Sequence, residues 1–441
     1  MKTTDVKICQ VEIGFIPVIL RIPLKFGAET IISGTCARVK MSVENKLGNT
    51  ACGYGETPLS VGWAWPSQSL GFLYRENRMI AYCQKLVSQW QKCDLSGHAM
   101  EIGYDFNEQI LPKVDTDIPH LVQLICNSAF DLALHDAYGK VNDISSYSSY
   151  NSKYMNHDLE YYLEDNRFAG RYPENYLLGK PLLKLPVWHL VGGKDLLTEE
   201  ELTGNEPQDG YPVILTDWIR RDGLKCLKIK LAGTDSQWDY QRILDVGKIA
   251  IEYKVNYLSA DFNCLVKSPQ YVNDILDLLM IEAPEIYGKI LYVEQPFPYD
   301  LEANRIDVHS VSSRKPLFMD ESAHDWRFVK LGYELGWTGV ALKVCKTQTG
   351  ALLSAAWAKE HGMALMVQDL TNPMLAMIPH VQLASRVGTI MGIECNAPQF
   401  YPAASEIQER NHPYLYRRRN GVVDLSTLGD KGLGYKEEDL Q

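Results

Sequence analysis

The chain has 441 residues, of which 46% are hydrophobic and 22% charged, the balance of a globular protein with a large core. Lysine and arginine number 44 against 55 aspartate and glutamate, so the net charge of −11 argues against nucleic acid or an anionic membrane as a partner. No apolar run reaches the roughly 18 residues that a membrane helix needs, and we expect no signal segment. The ten scattered cysteines form no CxxC pair, so we expect free thiols in a soluble cytoplasmic protein.

The first part of the chain, residues 1–155, predicts an α+β domain. The periodicity of apolar residues predicts two half-buried strands and two helices, at Val6–Ile13, Thr35–Val43, Arg75–Lys92 and Pro119–Lys140. Gly53–Glu56 and the Gly/Trp/Pro-rich stretch Val61–Pro66 are typical of turns and loops. The polar stretch Asp143–Asn156 is expected to be a surface connection. The tyrosines in and after it are expected in interdomain packing or at an oligomer surface.

A regular alternation of short β-type runs and helical stretches extends over residues 183–405. The predicted strands are Pro186–Leu190, Cys226–Leu231, Tyr257–Phe262, Ile290–Gln295, Leu317–Asp320, Gly339–Val344, Ala364–Val367 and Thr389–Glu394. Eight β-then-α units in series predict a parallel (β/α)₈ barrel, an α/β fold, rather than an open sheet. The polar tail 406–441 is expected to pack on the first domain and complete it.

Charged residues recur where the predicted barrel strands end. They are Lys228 and Lys230 on strand two, Asp261, Glu294 and Asp320 on strands three to five, and Lys343 on strand six. The carboxyl ends of barrel strands meet at one mouth, where active sites lie. Three acids there would repel one another unless a cation lies between them, and oxygen ligands suit Mg²⁺ before Mn²⁺.

Strands two and six lie on opposite sides of an eight-stranded ring, so Lys230 and Lys343 are predicted to flank the metal from opposite faces. We expect burial and cationic neighbours to lower the pKa of such lysines, as a general base requires. A metal ion would stabilise the enediolate that forms when a carbon beside a carboxylate loses its proton. Because adjacent strand residues face opposite ways, we expect that Asp320 and Glu321 do not both point inward.

The order and spacing of these motifs resemble those of the enolase superfamily, in its muconate-lactonizing-enzyme-like subgroup. The motifs are Lys228-x-Lys230, Asp261-x-Asn263, Glu294-Gln295-Pro296, Asp320-Glu321-Ser322 and Lys343, with Gly53-Tyr54-Gly55-Glu56 resembling the family's G-x-GE turn. The resemblance implies that Asp261, Glu294 and Asp320 bind Mg²⁺. It implies that Lys230 and Lys343 form the acid/base pair, with Lys228 near the substrate carboxylate.

The resemblance further implies that the first domain caps the barrel mouth and sets specificity, partly through the loop Pro23–Ile32. By analogy with related barrels, we expect a homo-oligomer. Strand seven ends in Gln368-Asp369 instead of the His of the mandelate-racemase-like branch, which favours the two-lysine branch. The DxD motif of dipeptide epimerases after strand eight is replaced by Glu394-Cys395-Asn396, which makes a dipeptide substrate less expected. Candidate substrate contacts are Asn263, Asp369, Asn396 and His189.

The sequence therefore predicts a Mg²⁺-dependent enzyme that removes the proton α to the carboxylate of a small molecule. The enediolate would go on to cycloisomerisation or to racemisation/epimerisation. An acid-sugar dehydratase with the same metal site is the alternative, against which the absent strand-seven His speaks. A catalytically silent barrel kept for binding or structure is a third reading, against which the intact acids and lysines speak.

Overall fold

The computed structural model describes residues 2–26 and 29–440. Gly27 and Ala28, within the predicted specificity loop Pro23–Ile32, lie outside the described residues. The first domain opens with an antiparallel sheet in the order β3-β2-β1-β4. Its strands are β1 (Val6–Phe26), β2 (Glu29–Asn45), β3 (Thr50–Pro58) and β4 (Ser96–Gly97). Both predicted strands are therefore present, and each is longer than its run of alternating residues.

Helices follow and separate these strands along the chain. They are α1 (Val61–Ala64), α2 (Phe72–Gln91), α3 (Ala99–Asp105), α4 (Leu111–Val114), α5 (His120–Val141) and α6 (Leu159–Leu163). The two predicted helices correspond to α2 and α5. Nearly every residue of α5 is buried, because the helix lies between the sheet and the barrel.

The prediction that Gly53–Glu56 forms a turn is wrong, because these residues lie inside β3. An added Cβ at Gly55 would lie 2.1 Å from the Ala129 carbonyl oxygen, and one at Gly53 would lie 2.1 Å from the Ala137 nitrogen. The glycines are therefore needed for the close approach of β3 to the backbone of α5. The predicted loop at Val61–Pro66 likewise contains a short helix, α1.

Eight parallel strands follow in the order β11-β10-β9-β8-β7-β6-β5-β12, which confirms the barrel prediction. They are β5 (Lys184–Val191), β6 (Cys226–Lys230), β7 (Tyr257–Asp261), β8 (Ile290–Glu294), β9 (Leu317–Met319), β10 (Gly339–Leu342), β11 (Ala364–Val367) and β12 (Ile393–Glu394). Within residues 2–26 and 29–440 no hydrogen-bonded ladder joins β11 to β12, so the ring is nearly closed. A last strand, β13 (Val422–Asp424), pairs antiparallel with β5.

The helices of the barrel are α7 (Leu215–Asp222), α8 (Ser236–Glu252), α9 (Pro269–Glu282), α10 (Pro284–Lys289), α11 (His309–Ser312), α12 (Trp326–Leu335), α13 (Gln348–Glu360) and α14 (Met377–Val387). Inside the ring, an apolar cluster of Trp188, Cys226, Tyr292, Phe318 and Met366 fills the barrel. The charged strand ends lie further along the same strands, so the polar groups are confined to one end. In the described part of the chain, no helix combines the length and apolarity needed to cross a bilayer.

One connecting segment differs from expectation, and the tail contacts both domains. Residues 143–156 do not form a surface connection, because Tyr147, Tyr150 and Met155 are buried in the same core as the barrel strands. The helix α15 (Ala397–Phe400) follows the last barrel strand, and the tail contains α16 (Glu406–Asn411) and α17 (Pro413–Tyr416). It contacts the barrel through the buried Arg418–Asp222 ion pair and the first domain through the Leu433 N–H, which donates to Asp136.

Replacing Gly55 by Ala tests the close approach of β3 to α5. Because the new Cβ would meet backbone atoms, which cannot rotate away, we expect a loss of at least about 2 kcal/mol in the free energy of unfolding. Gly14→Ala is the matched control at an exposed position of β1, where no atom lies within 4 Å of the added Cβ; it should change stability by less than about 0.5 kcal/mol. Urea titration measures both, and equal effects would contradict the account of β3.

Candidate active site

Strand register brings the charged residues to one height. Lys230 on β6 is paired with Asp261 on β7, and Asp261 is paired with Glu294 on β8. Asp320 and Lys343 directly follow the last residues of β9 and β10. These side chains therefore share the carboxyl-terminal end of the barrel.

Lys228 is the centre of an ion-pair cluster. Its Nζ lies 2.6 Å from Glu294 Oε1, 3.0 Å from Glu394 Oε2 and 3.2 Å from Asp261 Oδ2. None of these four side chains is more than 4% exposed. Three carboxylates thus converge on a single ammonium that water barely reaches.

Lys230 is more accessible than Lys228, the other lysine of β6, and 16% of its side chain is exposed. Its Nζ donates to Asp261 Oδ2 at 2.5 Å and to Asn263 Oδ1 at 2.8 Å. The Asn263 amide in turn donates to the Leu231 carbonyl oxygen, which fixes its orientation. A cavity of about 480 Å³ opens beside Lys230 and Asn263, with Lys194 and Trp238 also in its wall. This volume is within the usual range of small-molecule sites.

On the opposite side of the ring, Lys343 Nζ lies 3.2 Å from Asp320 Oδ1 and also donates to the Asp369 carbonyl oxygen. Lys346 donates to the carbonyl oxygens of Asp320 and Ala323, which holds the loop after β9. Trp63 of α1 covers both ammonium groups, with its ring centroid 5.3 Å from Lys343 Nζ and 5.4 Å from Lys346 Nζ. The first domain therefore contributes directly to the wall around Lys343.

The expectation that burial and cationic neighbours lower the pKa of the acid/base lysines is wrong for Lys343, and the pKa of Lys228 is raised as well. Burial does lower the pKa of Lys228, but the carboxylates, led by Glu294, outweigh it and leave the pKa well above its usual value. For Lys343, burial is again the largest single cause and lowers the pKa, but Asp320 and Glu394, with Cys345, together outweigh it and raise the pKa. Both ammonium groups are therefore held in the charged form by the acids they contact.

The pKa values of two buried acids, Glu294 and Glu321, are raised. Burial raises the pKa of Glu294 well above its usual value, and Asp261 and Asp320 add to the increase against the opposing effect of Lys228. Burial, with Asp320 and Asp261, also raises the pKa of Glu321 to about 7. Glu321 is thus buried within the field of the same acids as its neighbour. The expectation that Asp320 and Glu321 do not both point inward assumed that both lie in a strand. It does not apply, because β9 ends at Met319.

Glu394, the last residue of β12, is a further acid at the barrel mouth that was not among the candidates predicted from the sequence. Asn396 donates through its backbone N–H to Asp369 Oδ2 and through its side chain to Glu394 Oε1. Burial, followed by Glu394, raises the pKa of Asp369 to about 6. Glu394 could have been recognised, because it ends an apolar strand in the same way as Asp261 and Glu294.

His189 lies apart from the charged cluster. Its ring centroid is 5.3 Å from that of Trp218 on α7, and Gln399 contacts its Nε2 at 3.3 Å. Its neighbour on β5, Trp188, belongs to the barrel interior, so His189 is on the side of the strand that faces the helix layer. The other candidates, Asn263, Asp369 and Asn396, are each in hydrogen-bond contact with the charged cluster.

The carboxylate set suits a hard divalent cation by its donor chemistry, which is oxygen only. Asp320 Oδ1 and Glu321 Oε2 are buried and accept no hydrogen bond, although Asp320 Oδ1 lies 3.2 Å from the Lys343 ammonium. No three His, Cys, Asp or Glu side chains in residues 2–26 and 29–440 form a ready cage, however. The Lys228 ammonium already lies between Asp261 and Glu294, so these oxygens are engaged by a cation of the chain itself.

Comparison with known proteins gives a family and a fold. The sequence profile described as enolase C-terminal domain-like matches residues 214–438, just over half of the chain. No curated protein matches by sequence.

Solved structures match over almost the full length at low identity. A dipeptide epimerase from Enterococcus faecalis, complexed with Mg and L-Leu-L-Tyr, is 17% identical, with 97% of this chain and 99% of that chain covered and a TM-score of 0.65. A muconate lactonizing enzyme from Pseudomonas fluorescens, complexed with muconolactone, is 16% identical, with 98% of each chain covered and a TM-score of 0.62. At these identities the likeness shows the shared fold.

Replacing Gln295 by Leu tests how the loop that carries Asp320 is held. Gln295 Oε1 accepts hydrogen bonds from the Asp320 N–H and from the Ser322 N–H and hydroxyl, all buried. Leaving these donors unpaired should lower the free energy of unfolding by at least about 2 kcal/mol. The control Gln270→Leu breaks one exposed contact, to Asp274, and should cost less than about 0.5 kcal/mol. A small loss for Gln295→Leu in thermal unfolding would contradict this role.

Proposed function

Because this chain belongs to the enolase C-terminal domain-like family, we propose that it is an enzyme that removes the proton on the carbon beside a substrate carboxylate. The observation that carries the proposal is the pair of lysines on opposite sides of the ring, each in contact with a buried acid. Lys230 contacts Asp261, and Lys343 contacts Asp320. Four ring positions separate their strands, β6 and β10, which supports access to opposite faces of one substrate carbon.

We assign Asp261, Glu294 and Asp320 as the residues that would hold Mg²⁺, with Mn²⁺ as a substitute. When bound, the ion would offset the negative charge that develops on the substrate carboxylate. Lys228 would lie beside that carboxylate as a second positive charge. Asn263 keeps Lys230 oriented through the 2.8 Å hydrogen bond to its Nζ.

Lys230 would take the α-proton as a neutral amine, and Lys343, whose ammonium Asp320 keeps charged, would give a proton to the opposite face of the same carbon. Transfer from one face to the other inverts the carbon, which is racemisation or epimerisation. If the second lysine acts only as a cation, internal addition to a double bond gives cycloisomerisation. The two-lysine arrangement serves both outcomes, and the ligands of the two similar proteins, a dipeptide and muconolactone, are suitable first probes.

The first domain, residues 1–155 with the tail 406–441, is proposed to cap the barrel of residues 183–405. Support comes from Trp63, which lies over Lys343 and Lys346. The substrate is proposed to be a small carboxylate that enters the cavity beside Lys230. A cytoplasmic location and a homo-oligomeric state complete the proposal.

Proton exchange in D₂O tests this function without knowledge of the final product. The protein with Mg²⁺ is incubated with dipeptides, muconolactone and a panel of other carboxylates, and loss of the α-proton signal is followed by NMR. Exchange is expected for at least one class of compound, and it should fall at least about 100-fold in Lys230→Met and in Lys343→Met.

Lys225 is exposed and directly precedes β6, so it provides a matched control. The variant Lys225→Met should catalyse exchange at the normal rate. Full exchange by Lys230→Met on a true substrate would show that the assigned roles are wrong. An absence of exchange across the whole panel would remove the support for a proton-abstracting enzyme.

A further inference from the structure

The contacts of Lys228 raise a question of competition. Two of the three carboxylates around its ammonium, Glu294 and Asp261, are the residues assigned above to Mg²⁺. The remaining oxygen of Glu294, Oε2, accepts a hydrogen bond from Gln368 at 2.6 Å. Asp261 Oδ2 is shared between Lys228 and Lys230. Because ammonium groups already engage these oxygens, a divalent ion would compete with Lys228 for them.

Glu394, the third carboxylate around Lys228, can hold the Lys228 ammonium when the other two bind an ion. Glu394 Oε2 is 3.0 Å from Lys228 Nζ and is not among the assigned ligands. Its other oxygen, Oε1, accepts a hydrogen bond from the Asn396 side chain, and Asn396 is itself bonded to Asp369. Glu394 is therefore fixed in place, and its carboxylate is available to Lys228 on the side away from β7 and β8.

Because the carboxylates are buried, their charge has to be balanced by a cation both with and without a bound divalent ion. Glu294 and Asp261 are 0% and 1% exposed, and unpaired buried carboxylates are strongly destabilising. Without a divalent ion, some other cation has to balance them. A buried ammonium that later loses every partner would be destabilised for the same reason, so a second acceptor must be within its reach.

We propose that Lys228 is a built-in counter-ion that stabilises the carboxylate set before Mg²⁺ binds, and that Glu394 is the positioning residue that holds its ammonium once the ion enters. The inference rests on the proposed function for the identity of the ion. It concerns binding and stability, so its test does not require a known substrate.

Two substitutions should change Mg²⁺ affinity in opposite directions. Lys228→Met removes the competing cation, so Mg²⁺ should bind about tenfold or more tightly, while the ion-free protein melts at a lower temperature and Mg²⁺ restores the loss. Glu394→Gln removes the second acceptor, so Mg²⁺ should bind about tenfold or more weakly. A merely structural role for both residues would lower thermal stability without this opposite change in affinity.

A double-mutant cycle separates this exchange of partners from a general effect of charge. If Glu394 acts through Lys228, then Glu394→Gln should leave the Mg²⁺ affinity of the Lys228→Met background nearly unchanged. If it acts only as a nearby negative charge, the same tenfold weakening persists in that background, which would overturn the inference.

The measurement is calorimetric titration of Mg²⁺ into the full chain, with thermal unfolding in chelator and in Mg²⁺. If Lys228→Met folds in neither condition, Glu394→Gln alone decides, and an affinity equal to that of the unsubstituted protein overturns the inference. If the unsubstituted protein does not bind Mg²⁺, the metal assignment in the proposed function fails together with the inference. Normal Mg²⁺ binding that neither substitution alters overturns the inference alone.

Discussion

Charge balance inside the barrel mouth is the constraint on which the rest of this structure depends. Asp261, Glu294, Asp320 and Glu394 are all at most 3% exposed, so each requires a cation or hydrogen-bond donors within contact distance. Lys228, Lys230 and Lys343 meet that requirement from strands on both sides of the ring. The same contacts hold the lysines proposed to transfer the proton in a water-poor site, where electrostatic interactions are strongest.

The backbone makes this balance possible. Parallel register places Lys230, Asp261 and Glu294 side by side, and the apolar cluster around Trp188 and Tyr292 fills the barrel interior. The first domain adds Trp63 above Lys343, and α5 is held tightly to β3 because Gly53 and Gly55 lack side chains. Domain packing and site chemistry are therefore linked through α1, β3 and α5.

The barrel and most of the candidate site were predictable because apolar strands that end in charged residues are visible as a repeated pattern. Lys228, Asp261 and Glu294 follow from that pattern, and Glu394 fits it but was overlooked in favour of the motif around Asn396. Gly53–Glu56 was predicted as a turn, because a glycine pair that permits close packing looks the same in sequence as one that permits a turn. The raised pKa of Lys228 was also beyond reach, since it depends on which of several acids a buried ammonium contacts in space.

The most direct test is a crystal structure of the protein grown with Mn²⁺, with the ion located by its anomalous scattering. The account predicts one peak bounded by the carboxylates of Asp261, Glu294 and Asp320, with the Lys228 ammonium drawn away from Glu294 and held by Glu394. A peak elsewhere, or Lys228 still between Asp261 and Glu294 in crystals saturated with Mn²⁺, would contradict it.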